Sequence, residues 1–261
     1  MVTAFLETFL TAGQDGLRLI ATAVLPVLFP FFVITSLMLN LTNTTKPCIV
    51  ALLSYCSGYP NGARLTQNLY LKKQIELAQA QQLAIITSTP SPVFVIGTAG
   101  AVFLNNIQLG CVIFLCTIIA ALINGWLWQS NTKPKNSVRT LTDNHQQNSM
   151  SFLQAFSDSL SNATTSIVNV CGVVLFFYIA ARILCLPPFL SGLIEMTTGV
   201  ADTLNPLLVQ FFVTFGGLSV AMQQQIFMQN FQIKFRTYLA YKTTHAILAC
   251  ALLAVCLLFL N

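Results

Sequence analysis

The chain has 261 residues, of which 55% are hydrophobic and only 7% are charged. Soluble domains carry about a quarter charged residues, so this composition excludes an ordinary soluble fold. It predicts an all-α polytopic membrane protein, since helices satisfy their own backbone groups in lipid. The net charge of +5 forms no basic stripe, and we expect no nucleic-acid partner.

Three segments, residues 17–41, 107–129 and 236–260, are long and apolar enough to cross a bilayer. Each reaches the roughly 20 residues that a transmembrane helix needs. Their number and spacing predict a multi-pass protein whose immediate partner is the lipid bilayer.

Two shorter apolar runs, residues 48–57 and 207–215, would rise only about half of the hydrocarbon thickness as helices. Each run is followed by a glycine-rich break and then by a more polar helical stretch. A half-span that turns at glycines and comes back is a re-entrant hairpin. Paired interrupted segments of this kind point to the midplane site of a transporter.

A polar stretch at residues 130–150 separates the two halves of the chain and carries Lys133, Lys135 and Arg139 against Asp143. By the positive-inside rule we expect this linker to be cytoplasmic. Both halves, residues 1–129 and 151–261, contain a long span, a short apolar run and a glycine-rich break. This order predicts two inverted repeats.

The predicted topology has five crossings and two hairpins, with the first hairpin open to the cytoplasm and the second open to the outside. Lys72 then lies on the cytoplasmic side, whereas Lys234 and Arg236 lie on the opposite side. In this topology lysine and arginine are only modestly enriched on the cytoplasmic side.

The first break reads SGYPNG, and its functional interpretation is a tip that faces a solute with backbone groups and the amide of Asn61. The alternative is a tight turn between helices, which Pro-Asn-Gly also suits. The candidate solute-binding residues of this break are Gly58, Tyr59, Pro60, Asn61 and Gly62.

The second break, Gly216 and Gly217, precedes Ser219 and Gln223. A helix that starts at Ser219 would direct free amide groups at an anionic group. The alternative is that Ser219 is an ordinary N-cap, and the two interpretations are compatible.

Ionisable residues inside membrane segments are functional hypotheses by default. Glu195 is a candidate coupling residue, with capping of the following backbone as its alternative. Arg64 is a candidate partner of an anionic solute or of a helix carbonyl end. The eight cysteines and two histidines show no metal-ligand spacing, so we expect no metal site and no cofactor.

Five segments carry a resemblance to a known family: PFFVITSLM (residues 30–38), SGYPNGARLTQNLY (57–70), PVFVIGTAG (92–100), EMTTG (195–199) and FGGLSVAMQ (215–223). In this order they resemble the YlbJ-like sporulation integral membrane proteins, of the nucleoside-recognition gate-domain class. The resemblance implies two gate-like membrane repeats, residues 1–129 and 151–261. It also implies a multi-pass protein of the bacterial cell (inner) membrane, linked to spore formation in hosts that sporulate.

The chain departs from the family pattern at two places. Ser88, Thr89, Pro90 and Ser91 stand where the family usually has asparagines and a glycine, and Ala221 stands where a histidine is common. Ser88 and Thr89 remain candidate solute contacts, although this polar lining is poorer than that of the family.

These observations predict a transporter or permease for a small polar or anionic solute, with a homo-oligomer possible. The alternative is a membrane assembly or structural protein for sporulation that transports nothing. No nucleophile elbow, HExxH or paired-aspartate motif is present, so we expect no enzymatic activity. No Walker motif is present either, so direct coupling to ATP is not expected within this chain.

Overall fold

The structure is a computed structural model that describes residues 2–42, 46–129 and 151–260. Within these ranges the chain is helical with short connections and contains no strand, which confirms the predicted all-α class. The linker at residues 130–150 lies outside the described residues, so its cytoplasmic placement stays a prediction.

The first half begins with α1 (Val2–Leu19), which continues through a π-helical turn (Ile20–Val24) into α2 (Leu25–Thr42). The turn lies where Pro26 has no N–H to donate to the carbonyl of Thr22, and such a missing bond disturbs the regular helix. The following elements of this half are α3 (Pro47–Ser57), α4 (Asn61–Leu71), α5 (Leu77–Ile86), a π-helical segment (Val93–Phe103) and α6 (Ile107–Gln129).

The second half begins with α7 (Phe152–Ile183) and ends with α12 (Phe235–Leu260). The elements between them are α8 (Pro188–Ile194), α9 (Met196–Ala201), α10 (Pro206–Phe215), α11 (Gly217–Met228) and a 3-10 turn (Gln229–Phe231).

Four apolar helical stretches in the described ranges are long enough to cross a membrane: Ile107–Trp128, Phe152–Ile183, Pro206–Phe231 and Phe235–Phe259. The predicted spans at residues 107–129 and 236–260 are therefore confirmed as long apolar helices. We conclude that the chain is an integral membrane protein.

The long helix of α1 and α2 runs antiparallel to α7. Gly16 of α1 lies against Leu175 and Tyr178, near the end of α7. At the other end, Asn40 Nδ2 donates a hydrogen bond to Ser159 Oγ at 3.0 Å. This pair of helices forms one flank of the molecule, and the interrupted helices pack beside it.

The first break is a reversal of the chain. Arg64 NH1 donates to Ser36 Oγ at 2.8 Å, and Lys72 Nζ donates to Asn40 Oδ1 at 3.0 Å, so α4 runs parallel to α2. Because α3 connects the two, it must run back against them, and α3 and α4 form a helical hairpin.

At the second break the chain continues in the same direction and does not reverse. Cys250 Sγ lies 3.5 Å from the carbonyl oxygen of Leu207, so α10 begins beside the second half of α12. Gln224 of α11 reaches Ser88, whose hydroxyl bonds to Tyr238 near the start of α12. The segment α10–α11 therefore advances along α12 in one direction, as a long helix interrupted at Gly216. The predicted re-entrant hairpin at this break is wrong, because the chain does not turn back at Gly216.

The prediction that Lys234 and Arg236 lie opposite Lys72 is wrong. The rings of Tyr70 and Phe231 are 5.6 Å apart, and Gln81 Nε2 donates to the carbonyl oxygen of Phe231 at 2.7 Å. Lys72 and Lys234 each follow one of these aromatic residues closely in the chain. A hydrocarbon core of about 30 Å cannot separate them.

This arrangement predicts the outcome of side-specific labelling. In a variant free of native cysteines, Lys72→Cys and Lys234→Cys should both react with a membrane-impermeant maleimide from the same side of the membrane. Asp202→Cys, which lies beyond α9 near the far end of α7, serves as the control for the other side. Reaction of the two lysine positions from opposite sides would contradict the fold described here.

Candidate functional site

Four of the helix interruptions in the described chain meet at one place. Proline ends or begins helices at two of them, because it has no N–H for the helix ladder. A left-handed glycine (φ 84°) forms another. The four interruptions are residues 58–60 between α3 and α4, 87–92 after α5, Glu195 between α8 and α9, and Gly216 between α10 and α11.

Tyr59 joins three of these interruptions. Its backbone N–H donates to the carbonyl oxygen of Thr89 at 2.7 Å. Its hydroxyl donates to the carbonyl oxygen of Val213 at 3.0 Å and lies 2.6 Å from Met196 Sδ. The side chain is buried, so these bonds replace water at backbone groups that the breaks leave open.

Two positions of the first break must be glycine because the segment after α5 approaches the chain closely there. Gly58 has a φ of +74°, and a Cβ at this position would overlap the backbone of Ser91. A Cβ at Gly62 would overlap the side chain of Thr87. The sequence predicted a solute-facing role for both glycines, and the structure gives them contacts with the interruption after α5.

We call the place where the four interruptions meet (residues 58–60, 87–92, Glu195 and Gly216) the junction. The amino group of Lys242 lies at the junction and is fully buried. Its Nζ donates to the carbonyl oxygen of Ser88 at 2.9 Å and lies 5.6 Å from the centre of the Tyr59 ring. No carboxylate of a described residue pairs with it. An ionisable group buried without a charged partner is costly in its charged form, so a residue of this kind is a functional hypothesis.

The sequence interpretation missed Lys242 because the segment around it was treated only as a span. The signal was nevertheless present in the sequence, since Lys242 and His245 are ionisable residues within the predicted span at residues 236–260. Intramembrane ionisable residues of this kind mark solute or ion paths.

Around Lys242 several polar groups have spare hydrogen-bonding capacity. Ser88 Oγ bonds to Tyr238 at 2.7 Å and accepts from Gln224 Nε2 at 3.1 Å. Five buried side-chain atoms of the described residues have no hydrogen-bond partner, and Thr89 Oγ1, Gln224 Oε1 and His245 Nδ1 are three of them. The predicted site residues Ser88 and Thr89 therefore lie at the centre of the polar junction.

A second polar group extends from His245. Its Nε2 lies 3.0 Å from the carbonyl oxygen of Thr117. Gln210 Nε2 donates to the hydroxyls of Thr117 and Thr214, each at 2.8 Å. This network ties α6 and α12 to α10 just before the break at Gly216.

Arg64 and Asn61, in contrast, have a full set of protein partners. The Arg64 guanidinium donates to Asn61 Oδ1 at 2.9 Å and to the carbonyl oxygen of Phe32 at 2.9 Å, in addition to Ser36. Asn61 Nδ2 donates to Ser57 Oγ at 2.7 Å. These bonds hold α4 against α2, and they supply a structural reason for both side chains.

At the second break, the alternative that Ser219 is the N-cap is wrong. Helix α11 begins at Gly217, and Gly216 occupies the cap position. Ser219 is buried in the first turn and accepts a hydrogen bond from Gln223 Nε2 at 3.3 Å. Gly217 (φ +73°) lies against carbonyl oxygens at the end of α8, which fixes this break next to Glu195.

Glu195 is almost fully buried and performs the predicted capping role. Its Oε2 accepts from the backbone N–H of Thr198 at 2.9 Å and from the Thr198 hydroxyl at 3.0 Å. Its Oε1 has no hydrogen-bond partner in the described part of the chain. Because the next residue, Met196, contacts Tyr59, this carboxylate lies beside the junction.

No set of three histidine, cysteine or acidic residues in the described ranges is placed to hold a metal ion. The pair Cys116 and Cys256 has its sulfur atoms 3.9 Å apart between α6 and α12. The chemical resources of the junction are therefore one ammonium group, one carboxylate, hydroxyls and carboxamides.

The chain is similar to the sporulation integral membrane protein YlbJ of Bacillus subtilis (strain 168). The identity is 23% over 294 aligned positions, which cover 87% of this chain and 72% of that protein. The predicted resemblance is confirmed. No family model matches the chain, and no solved structure matches it.

Removing the charge of Arg64 and removing that of Lys242 should have different effects on the free energy of unfolding. Arg64→Met leaves the buried Asn61 Oδ1 and Ser36 Oγ without this donor and removes one of the two side-chain donors to the Phe32 carbonyl. We therefore expect a loss of about 3 kcal/mol in unfolding free energy. Lys242→Met removes an unpaired buried charge at the loss of one hydrogen bond, so stability should be unchanged or higher.

Thermal unfolding of the detergent-purified variants measures both effects side by side. A large loss of stability in Lys242→Met would show that the ammonium group is a structural element like that of Arg64, and would contradict this assignment.

Proposed function

We propose that the protein is a transporter or permease component for a small anionic solute, which binds at the junction of the helix interruptions. The observation that carries the proposal is the fully buried ammonium group of Lys242, which has no carboxylate partner among the described residues. An anionic solute would supply the missing charge. The unpaired hydroxyl of Thr89 offers a hydrogen bond beside it.

The proposed architecture is that of the gate-domain class, in two membrane repeats. The α3–α4 hairpin of the first repeat corresponds to α8–α9 of the second, where the chain turns at Glu195 and Gly192 lies against Gly199. The interrupted span α10–α11 corresponds to α5 and the π-helical segment of the first repeat, which are separated at residues 87–92. Interrupted helices in corresponding positions of two halves are typical of transporters, whose substrates bind between them near the midplane. Alternating access would follow from motion of one repeat against the other.

In this proposal the roles of the predicted residues differ. Tyr59 and Ser88 line the site, because they contact Lys242 directly. Arg64 and Asn61 position the first hairpin. Glu195 is the candidate coupling residue, because it is a buried carboxylate with one oxygen free of described hydrogen-bond donors.

The second candidate function is a membrane assembly role in sporulation without transport. It is supported by the name of the B. subtilis relative, which refers to sporulation and to no solute. The many hydrogen bonds that Arg64 and Asn61 make to other residues of the chain are also compatible with a rigid structural protein. For either function, we propose that the protein lies in the bacterial cell membrane and is linked to spore formation in hosts that sporulate.

The test is thermal unfolding of the purified protein with small dicarboxylates, nucleosides and divalent cations. A solute at 100 times its dissociation constant should stabilise by about 2.7 kcal/mol. We expect the largest shift from an anion, lost in Lys242→Met and retained in Lys234→Met, which removes an exposed lysine just before α12.

Two results would contradict the proposal. A shift that survives in Lys242→Met would place the solute elsewhere. Absence of any shift across the panel, with Lys242→Met still folded, would favour the assembly role and direct the search to protein partners.

A further inference from the structure

A small polar cavity lies away from the Lys242 junction, where α2, α4 and α7 meet. Its volume is about 50 Å³, and it is lined by Ser36, Leu39, Asn40, Asn68, Leu69, Lys72, Gln74 and Asn162. A water needs roughly 10–15 Å³ in this measure, so the cavity has room for about four waters or for one compact polar group.

The lining is rich in hydrogen-bond donors and contains no acidic residue. The side-chain amides of Asn68, Gln74 and Asn162 make no hydrogen bond to another described residue. Lys72 Nζ uses one of its donors on Asn40 Oδ1, and Asn40 is itself fixed by its bond to Ser159. An ammonium group surrounded by free amide donors is suited to an oxyanion.

The floor of the cavity adds a second positive charge. Ser36 lines the cavity and accepts a hydrogen bond from Arg64 NH1 at 2.8 Å. Arg64 has no carboxylate among its hydrogen-bond partners, so its charge is not neutralised by the described residues around it. Arg64 does not itself line the cavity, but its guanidinium lies one hydrogen bond beyond Ser36, whereas Lys72 lines the cavity directly.

The position of the cavity is interfacial. Lys72 follows the last residue of α4, and Asn40 lies in the last turn of α2, on the face that also carries Lys234. Basic pockets between transmembrane helices on the cytoplasmic side, where the predicted topology places Lys72, bind phosphate-bearing lipid head groups.

We propose that this cavity binds a phosphate oxyanion, between Lys72 and the amides of Asn68, Gln74 and Asn162. The group is either the head-group phosphate of an anionic phospholipid or free inorganic phosphate. Occupancy would tie α4, and with it the first hairpin, to α2 and α7. The site goes beyond the proposed transport function and does not depend on it.

The experiment is thermal unfolding of the full chain in neutral detergent, titrated separately with phosphatidylglycerol, with phosphatidylcholine and with inorganic phosphate. The variants are Lys72→Gln and Asn162→Leu. The matched control is Lys73→Gln, which removes the same charge one residue later from a position that does not line the cavity.

We expect saturable stabilisation by phosphatidylglycerol that exceeds the stabilisation by phosphatidylcholine. Its apparent affinity should fall at least about tenfold in Lys72→Gln, because the charge-assisted hydrogen bond from the ammonium group is lost. It should also fall in Asn162→Leu and stay unchanged in Lys73→Gln. Saturable stabilisation by inorganic phosphate with the same dependence on Lys72 supports the site with the free anion as its ligand.

The proposal is overturned if neither phosphatidylglycerol nor inorganic phosphate stabilises the wild-type protein. It is equally overturned if Lys72→Gln and Lys73→Gln weaken the effect to the same degree, since that is general attraction to a charged surface. Failure of this site leaves the Lys242 test unaffected, because none of these variants touches the junction.

Discussion

The fold depends on one constraint: backbone groups that are freed where helices break must find partners inside the protein, because lipid offers none. Here the interruptions supply partners to one another. The Tyr59 N–H bonds the Thr89 carbonyl, and the Tyr59 hydroxyl bonds the Val213 carbonyl. The Ser88 carbonyl receives the Lys242 ammonium group. Segments far apart in the chain are thereby locked into one polar junction within an apolar molecule.

Two buried cations give this architecture different properties. Arg64 contacts α2 through several hydrogen bonds and lies over the Phe32 ring at 4.6 Å, so its charge is spread over fixed partners. Lys242 has a single hydrogen bond at the point where the interruptions meet. The first cation contributes rigidity. The second has no carboxylate bonded to it among the described residues, which is the physical basis of the proposed affinity for anions.

Much of the architecture could be predicted from the sequence, because apolar length and glycine or proline breaks are local signals. The spans at residues 107–129 and 236–260 and the breaks at Gly58 and Gly216 were visible in this way. The side of Lys234 was not, because it depends on the contact between Tyr70 and Phe231, which are distant in the chain. The structural roles of Arg64 and Asn61 could not be predicted either, because they depend on contacts with α2. No sequence pattern at Ser36 or Phe32 indicates that these residues bond to Arg64.

The central claim is that Lys242 holds an anionic solute at the junction. The most direct measurement is the calorimetric dissociation constant of the dicarboxylate that stabilises the protein most, for the wild type and for Lys242→Met. The account predicts binding at least about tenfold weaker in the variant, as expected for loss of a charge-assisted contact, with the variant fully folded. An equal dissociation constant in the two proteins would contradict it.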